Sequence, residues 1–351
     1  MHAHVIAVSR TAGAPALIRP RQLLIDHTAV SAVERWSQGV SEHDGVCQVR
    51  LAPGVDPVAL ADDLRSQGLP ASPNHVLVGQ PLFFGGPATR PFPTGPVDPG
   101  PGGPPSLVSV AVLDTGIAPH PWWNDSPWYS ERGAGSDELA DSDGDLALDA
   151  QAGHGTFIAG LLLRRAPGVR LRIGRVLDGH GVGDEAGLLR ALAGLRERPP
   201  QVLNLSLGAH TADDQPPPLL ARALEQLPGT VVVACAGNTG SSRPFWPAAL
   251  PGVVAVGALD AAGTGRAPFS AYGPWVNACA PGEWLASTFL SACGFSGYAR
   301  WSGTSFAAAL VSGAIADAAR ELPPADAAAY VLDPLRGGQI PDLGVLVPAD
   351  R

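Results

Sequence analysis

Five short apolar runs constrain the fold of this chain more than any other feature: SVAVLD at 109–114, LRIGRVL at 171–177, QVLNLSL at 201–207, TVVVACA at 230–236 and GVVAVGAL at 252–259. They are nearly continuous where half-exposed strands would alternate, which is the pattern of strands buried on both faces. Helix-forming stretches separate them, at 156–164, 185–198 and 219–226, and another follows Ser305. Strand and helix in strict alternation predict an α/β fold with a doubly wound parallel sheet. Ligands of such sheets bind outside the carboxyl ends of the strands, so function is to be sought just after each run.

The 351 residues exceed one ordinary domain, and 45% of them are hydrophobic against 16% charged, ample for a core. After Gly85-Gly86 the stretch PATRPFPTGPVDPGPGGPP (87–105) packs prolines and glycines too densely for a helix or a ladder and reads as a linker. Upstream, residues 1–86 show helix patterns at 29–38 and 57–67 and strand-like runs at 23–25, 46–51 and 75–78, with Asp56 before Pro57 as an N-cap. A small N-terminal α/β domain is expected there. The main domain then takes 106–335, leaving 336–351 as a C-terminal tail.

A net charge of −9, with 23 basic residues that are all arginine and form no cluster, argues against nucleic acid or an anionic membrane as partner. No uninterrupted apolar stretch reaches the roughly 18 residues of a membrane span. The start, MHAHVIAVSR, carries no signal-peptide pattern, so a cytoplasmic location is the default expectation, with secretion if the start is processed or truncated. Cys47, Cys235, Cys279 and Cys293 form no CxxC pair; Cys279 and Cys293 lie close enough in sequence to be candidates for a bridge.

Three polar segments fall at the functional edge: Asp-Thr-Gly from Asp114, Gly-His-Gly-Thr around His154, and Gly-Thr-Ser ending at Ser305. A serine hydroxyl needs a base to take its proton, and the imidazole needs a carboxylate to fix its tautomer. Taken singly, each segment also reads as a turn, a loop or a helix start. The pattern argues against an esterase-type nucleophile elbow, which needs Gly-x-Ser-x-Gly and the order Ser, Asp, His, whereas Ser305 sits in Gly-Thr-Ser-Phe-Ala and comes last.

With their surroundings, AVLDTGI (111–117), GHGTFIAG (153–160), NLSLG (204–208), ACAGN (234–238) and GTSFAA (303–308), these segments resemble the subtilisin-like serine peptidases from 106 to about 319. The resemblance implies a serine endopeptidase working through an acyl-enzyme. Ser305 would be the nucleophile, His154 the general base and then acid, and Asp114 the group orienting His154. Asn238 and the Ser305 N–H would form the oxyanion hole. It implies further that Gly181, Val182 and Gly183 on one side and Ser206, Leu207 and Gly208 on the other flank an extended peptide or protein substrate. Leu207, Gly208, Ala234, Cys235 and Ala236 would line the primary pocket. Phe245 would lie near its base, where relatives often carry a small residue, and would shorten it. No cofactor is required by this chemistry. The alternative is an inactive subtilisin-fold module that binds peptides.

The N-terminal domain is, on the same resemblance, either an inhibitor and folding aid or a permanently attached regulatory domain. After Ser305 the run Phe306-Ala307-Ala308-Ala309-Leu310 lacks the Pro-His that relatives show, which predicts altered helix packing with catalysis kept. An acidic run, Asp137, Glu138, Asp141, Asp143, Asp145 and Asp149, precedes His154. Within it Asp141, Asp143 and Asp145 resemble part of a calcium loop, and a solvated acidic loop is the competing reading.

Overall fold

In the computed structural model of the chain, residues 5–8, 15–79 and 90–349 are described; the Gly85-Gly86 boundary and residues 87–89 lie outside them. The N-terminal unit opens with β1 (Ile6–Val8) antiparallel to β2 (Ala16–Asp26). Where the sequence predicts a helix over 29–38, the chain makes two 3-10 turns, His27–Ala32 and Glu34–Trp36. Only Ala29 and Val33 of this stretch are buried, too narrow an apolar stripe to hold a packed helix. The chain then enters the exposed edge strand β3 (Ser37–His43), joined to β4 (Val46–Leu51) by Asp44-Gly45, both at positive φ as a tight hairpin requires. Helix α1 (Pro57–Ser66) starts as expected: the Asp56 carboxylate accepts the Val58 N–H at 2.8 Å, and Pro57 occupies the first turn. It buries Leu60, Ala61 and Leu64 against the sheet completed by β5 (Ala71–Val78).

The proline-rich stretch is more than a spacer. Its β6 (Phe92–Pro93) hydrogen-bonds to a strand ending at Trp301, so the segment is docked on the main domain. There follow β7 (Ser109–Asp114), the short α2 (Pro127–Ser130), α3 (His154–Arg165), β8 (Arg170–Arg175), β9 (Val182–Asp184), α4 (Glu185–Leu195), β10 (Val202–Leu205), α5 (Pro218–Glu225), β11 (Val231–Cys235) and β12 (Val253–Leu259). The last part holds β13 (Ala278–Pro281), β14 (Leu285–Thr288), β15 (Tyr298–Trp301), α6 (Thr304–Ala318), α7 (Pro324–Val331), α8 (Pro334–Gly337), β16 (Gln339–Ile340) and β17 (Gly344–Leu346).

The main sheet runs β8-β7-β10-β11-β12-β13-β17-β16 and is parallel except for β16. The segment after 335 is therefore no tail, since two strands of the sheet lie in it. Successive residues of β7 serve opposite faces: Val110 and Val112 pack with α3 and α6, while Ala111 and Leu113 pack with the leucines of α4 and α5. Residues 304–316 of α6 are all buried, which suits a helix that is apolar all round. Within it Phe306-Ala307-Ala308-Ala309-Leu310 continues without interruption. All four cysteines are free; Cys279 lies buried in β13 and Cys293 is exposed, so the candidate bridge is absent.

Candidate active site

Asp114 closes β7, and His154 opens α3 after Gly153, whose φ of 87° lets the chain turn into the helix. The two motifs touch through glycine: a Cβ at Gly155 would lie 2.2 Å from the Gly116 carbonyl oxygen. His154 Nδ1–H donates to Asp114 Oδ1 at 2.7 Å, both side chains being fully buried. The same carboxylate oxygen accepts the Thr115 N–H at 2.8 Å, and Thr115 Oγ1 accepts the Gly155 N–H at 2.9 Å. Trp301 and Phe306 stand 5.5 and 5.3 Å from the imidazole, ring centre to ring centre, and screen it from water.

Ser305 is the second residue of α6, where the helix dipole favours negative charge. Its Oγ makes two long contacts, to the carbonyl oxygens of Gly79 at 3.3 Å and of Ser206 at 3.4 Å. No hydrogen bond joins it to His154, whose Nε2 is buried without a partner among the described residues. Asn238 is locked by its other end: Oδ1 accepts both the N–H and the hydroxyl of Thr304 at 2.9 Å, leaving Nδ2 buried and without a partner among the described residues. Buried polar atoms are normally satisfied, and each exception calls for a cause, a reacting group being one. Here the exceptions include His154 Nε2, Asn238 Nδ2 and Asp114 Oδ2, members of one site.

The N-terminal unit reaches into this site. Strand β5 pairs antiparallel with β9, Leu77 opposite Gly183 and Val78 opposite Val182, and Gly79 N–H donates to the Gly181 carbonyl at 2.9 Å. On its other edge Val78 exchanges both backbone hydrogen bonds with Gly208, at 2.9 and 3.0 Å. The segments 181–183 and 206–208 thus flank one extended strand, and that strand belongs to the chain itself.

Sequence reasoning missed the anchoring polar cluster behind it. Glu185, fully buried, accepts from the Ser72 hydroxyl at 2.9 Å and from His75 Nδ1 at 2.7 Å, and Asn74 Oδ1 accepts the Ala186 N–H at the start of α4. Arg19 to Asp184 and Arg65 to Asp213 add ion pairs across the same contact. These partners are more than a hundred residues apart in sequence, and no local pattern marks them.

Leu207, Ala234, Cys235 and Ala236 are buried at the ends of β10 and β11. Phe245, 2% exposed, lies between them: a Cβ at Gly208 would sit 2.4 Å from its ring and one at Gly237 3.0 Å. Burial pushes the Cys235 thiol up to about 12, against weaker hydrogen bonding from Ser305 and Thr304, so it stays a neutral wall group.

Among the described residues, two groups of side chains bring ligand atoms within 4.8 Å of one another: Asp141, Asp143 and Asp145, and Asp143, Asp149 and His180. The first is all carboxylate, as a hard cation uses, while the second includes an imidazole, outside calcium's usual ligands. Asp141 already accepts backbone N–H bonds from Gly144, Asp145 and Leu146, closing the loop on itself. Glu138 belongs to neither group and turns inward to Thr156.

Asp114, His154 and Ser305 thus gather at the carboxyl edge of a doubly wound parallel α/β sheet. Residues 106–333 match the sequence profile of the subtilase family, and the chain belongs to that family. It is 34% identical over 216 residues to a thermostable alkaline protease of Halalkalibacterium halodurans, covering 59% of this chain and 55% of that protein. To subtilisin BL of Lederbergia lenta it is 36% identical over 225 residues, covering 60% and 76%. The chain thus spans about half the length of the first of these relatives. Among solved structures, a cold-adapted subtilisin-like serine proteinase aligns with a TM-score of 0.54 at 25% identity, over 70% of this chain and 89% of that one. Fervidolysin from Fervidobacterium pennivorans shares the fold with a TM-score of 0.67 at 20% identity, over 99% of this chain and 62% of that one.

Proposed function

We propose that the chain is a serine endopeptidase whose N-terminal domain lies in its own substrate cleft as an inhibitor. In the reaction Ser305 Oγ attacks the carbonyl carbon of a peptide bond as its proton passes to His154 Nε2, and Asp114 stabilises the imidazolium that results. The oxyanion is held by Asn238 Nδ2 and the Ser305 N–H. His154 then returns the proton to the leaving amine, and a water molecule repeats the sequence on the acyl-enzyme. The observation that carries the reading is the 2.7 Å Asp114–His154 bond beside a serine that begins a helix, with unsatisfied donor and acceptor atoms beside it.

The inhibitory role is supported by the ladder that Val78 and Gly79 make with Gly208 and Gly181, strand addition of the kind a peptide substrate uses. For turnover, Ser305 Oγ has to leave the Gly79 and Ser206 carbonyls for His154 Nε2. Phe245 between the two walls of the primary pocket supports a preference for small side chains before the scissile bond. The chemistry needs no cofactor. Calcium at Asp141, Asp143 and Asp145 would be structural, and would show as a higher melting temperature in calcium than in chelator.

A fluorophosphonate probe on the full chain tests the reaction. Wild type gains the probe mass on the peptide that contains Ser305, and Ser305→Ala does not. Equal failure of both, also after the domains are separated by cleavage in the linker, would favour the peptide-binding module.

A further inference from the structure

Glu138 stands sixteen positions before His154 in a loop with no motif, yet it ties the aspartate and histidine segments together. Its backbone N–H donates to the Ile117 carbonyl at 3.1 Å, and the Ile117 N–H donates to Ser136 at 2.9 Å, so the 136–138 segment is laced to the turn that follows Asp114. Its carboxylate Oε2 accepts from the Thr156 hydroxyl at 2.8 Å and from the Thr156 N–H at 3.2 Å. Thr156 is the third residue of α3, where a helix has an unsatisfied N–H, and Gly153 at the cap position has no side chain to satisfy it. The Thr156 hydroxyl in turn accepts the Ala118 N–H at 2.9 Å. A continuous relay therefore runs from the Asp114 turn, through Thr156, to Glu138, and it closes around the first turn of the helix that begins with His154.

We propose that Glu138 is a positioning residue for His154: by capping the first turn of α3 and fastening it to the Asp114 turn, it sets the ring orientation on which the Asp114–His154 bond depends. The inference rests on the reading of His154 as the base. Burial, and then the charge of Asp114, push the Glu138 carboxyl up, while the hydroxyls of Thr115 and Thr156 and the Gly153 N–H oppose this. Both Thr156 contacts fall on Oε2, and an amide oxygen at that position can accept them equally. A neutral amide can therefore take the place of the carboxyl.

The test compares Glu138→Gln, Glu138→Ala and Thr156→Val in the full chain by proton NMR, reading the low-field resonance of His154 Nδ1–H, assigned by its loss in His154→Ala. Wild type and Glu138→Gln are expected to show the same sharp resonance. In Glu138→Ala and Thr156→Val the proton exchanges with water at least about tenfold faster, while circular dichroism shows the fold retained. Fluorophosphonate labelling of Ser305 slows about 10–100-fold in the same two variants and stays within about threefold in Glu138→Gln, since a small misplacement of a reacting group can cost about 10²-fold. A resonance with unchanged exchange in Glu138→Ala and Thr156→Val overturns the proposal, as does Glu138→Gln failing alongside them or a wild type that lacks the resonance. If the resonance behaves as expected but no chain is labelled, even after cleavage in the linker, the peptidase reading fails and the positioning role stands. If Glu138→Ala does not fold, Thr156→Val and Glu138→Gln decide.

Discussion

Ser305 Oγ and the carbonyl oxygen of Gly79 lie 3.3 Å apart, across 226 residues of chain. The Ser305 hydroxyl is thereby turned toward the N-terminal strand, and it makes no hydrogen bond to His154 Nε2. On the proposed reading, an occupied cleft and a disengaged serine arise together from this one contact.

Docking of that strand should depend on Glu185, the buried acceptor of Ser72 and His75. Removing one partner of a buried polar pair typically costs about 3–5 kcal/mol, because the other is left unpaired. Glu185→Ala should therefore expose β5 and β9 to faster amide hydrogen exchange, with amides of β10 and β11 unchanged. Uniform protection across both regions would show that the cluster is dispensable.

Asn238→Ala removes the side-chain donor to the oxyanion and leaves the Ser305 N–H. Loss of such a donor typically costs about 10²–10³ in turnover. In the enzyme freed of its N-terminal domain, kcat on a peptide amide should fall by that factor with KM nearly unchanged. A fall confined to KM would assign Asn238 to substrate binding.

Phe245→Gly should open the primary pocket. Wild type should favour Ala over Phe at the residue before the scissile bond, and the variant should shift the ratio of kcat/KM toward Phe by at least about tenfold, since fit to an apolar pocket is worth about 1–3 kcal/mol. The variant should also lose about 3–5 kcal/mol of stability, because a buried ring is deleted. An unchanged ratio in a folded variant would remove Phe245 from the pocket.

Acid should destabilise the fold through His120. Burial lowers its imidazole from 6.5 to about 4, against an opposing hydrogen bond to Gly297. The ring is held neutral, with Nε2 donating to the Gly297 carbonyl at 3.1 Å and Nδ1 accepting the Trp122 N–H at 3.2 Å. The unfolded chain takes up a proton below pH 6.5 and the folded chain only near pH 4, so stability falls across that window. The loss is roughly 2 kcal/mol once solvent screening is allowed for. Denaturant midpoints at pH 7 and pH 4.5 should differ accordingly, and His120→Gln should flatten the difference.

The strands of the main sheet were legible because burial on both faces writes itself into continuous apolar runs, as in TVVVACA. Asp114, His154 and Ser305 could be picked out as candidates because each closes a strand or opens a helix beside a glycine-containing motif. What escaped was set by distant pairing. Ser37–His43 is an edge strand of mostly exposed polar residues, with no period to betray it. Gln339–Ile340 and Phe92–Pro93 are strands two residues long, defined only by their partners. Glu138, Glu185 and His75 act through partners that no local window contains.

The most direct measurement is the rate of fluorophosphonate labelling of Ser305 in wild type and in Gly79→Arg. A Cβ at Gly79 would lie 2.9 Å from Leu177 Cδ1 and 3.8 Å from the His154 ring, so an arginine there has to displace Leu177 and crowd His154, which weakens the docking of the strand. Labelling should be faster in the variant by at least about tenfold, the factor given by about 1.4 kcal/mol of lost docking. Labelling at the wild-type rate, or slower, would contradict an N-terminal strand that blocks a serine nucleophile.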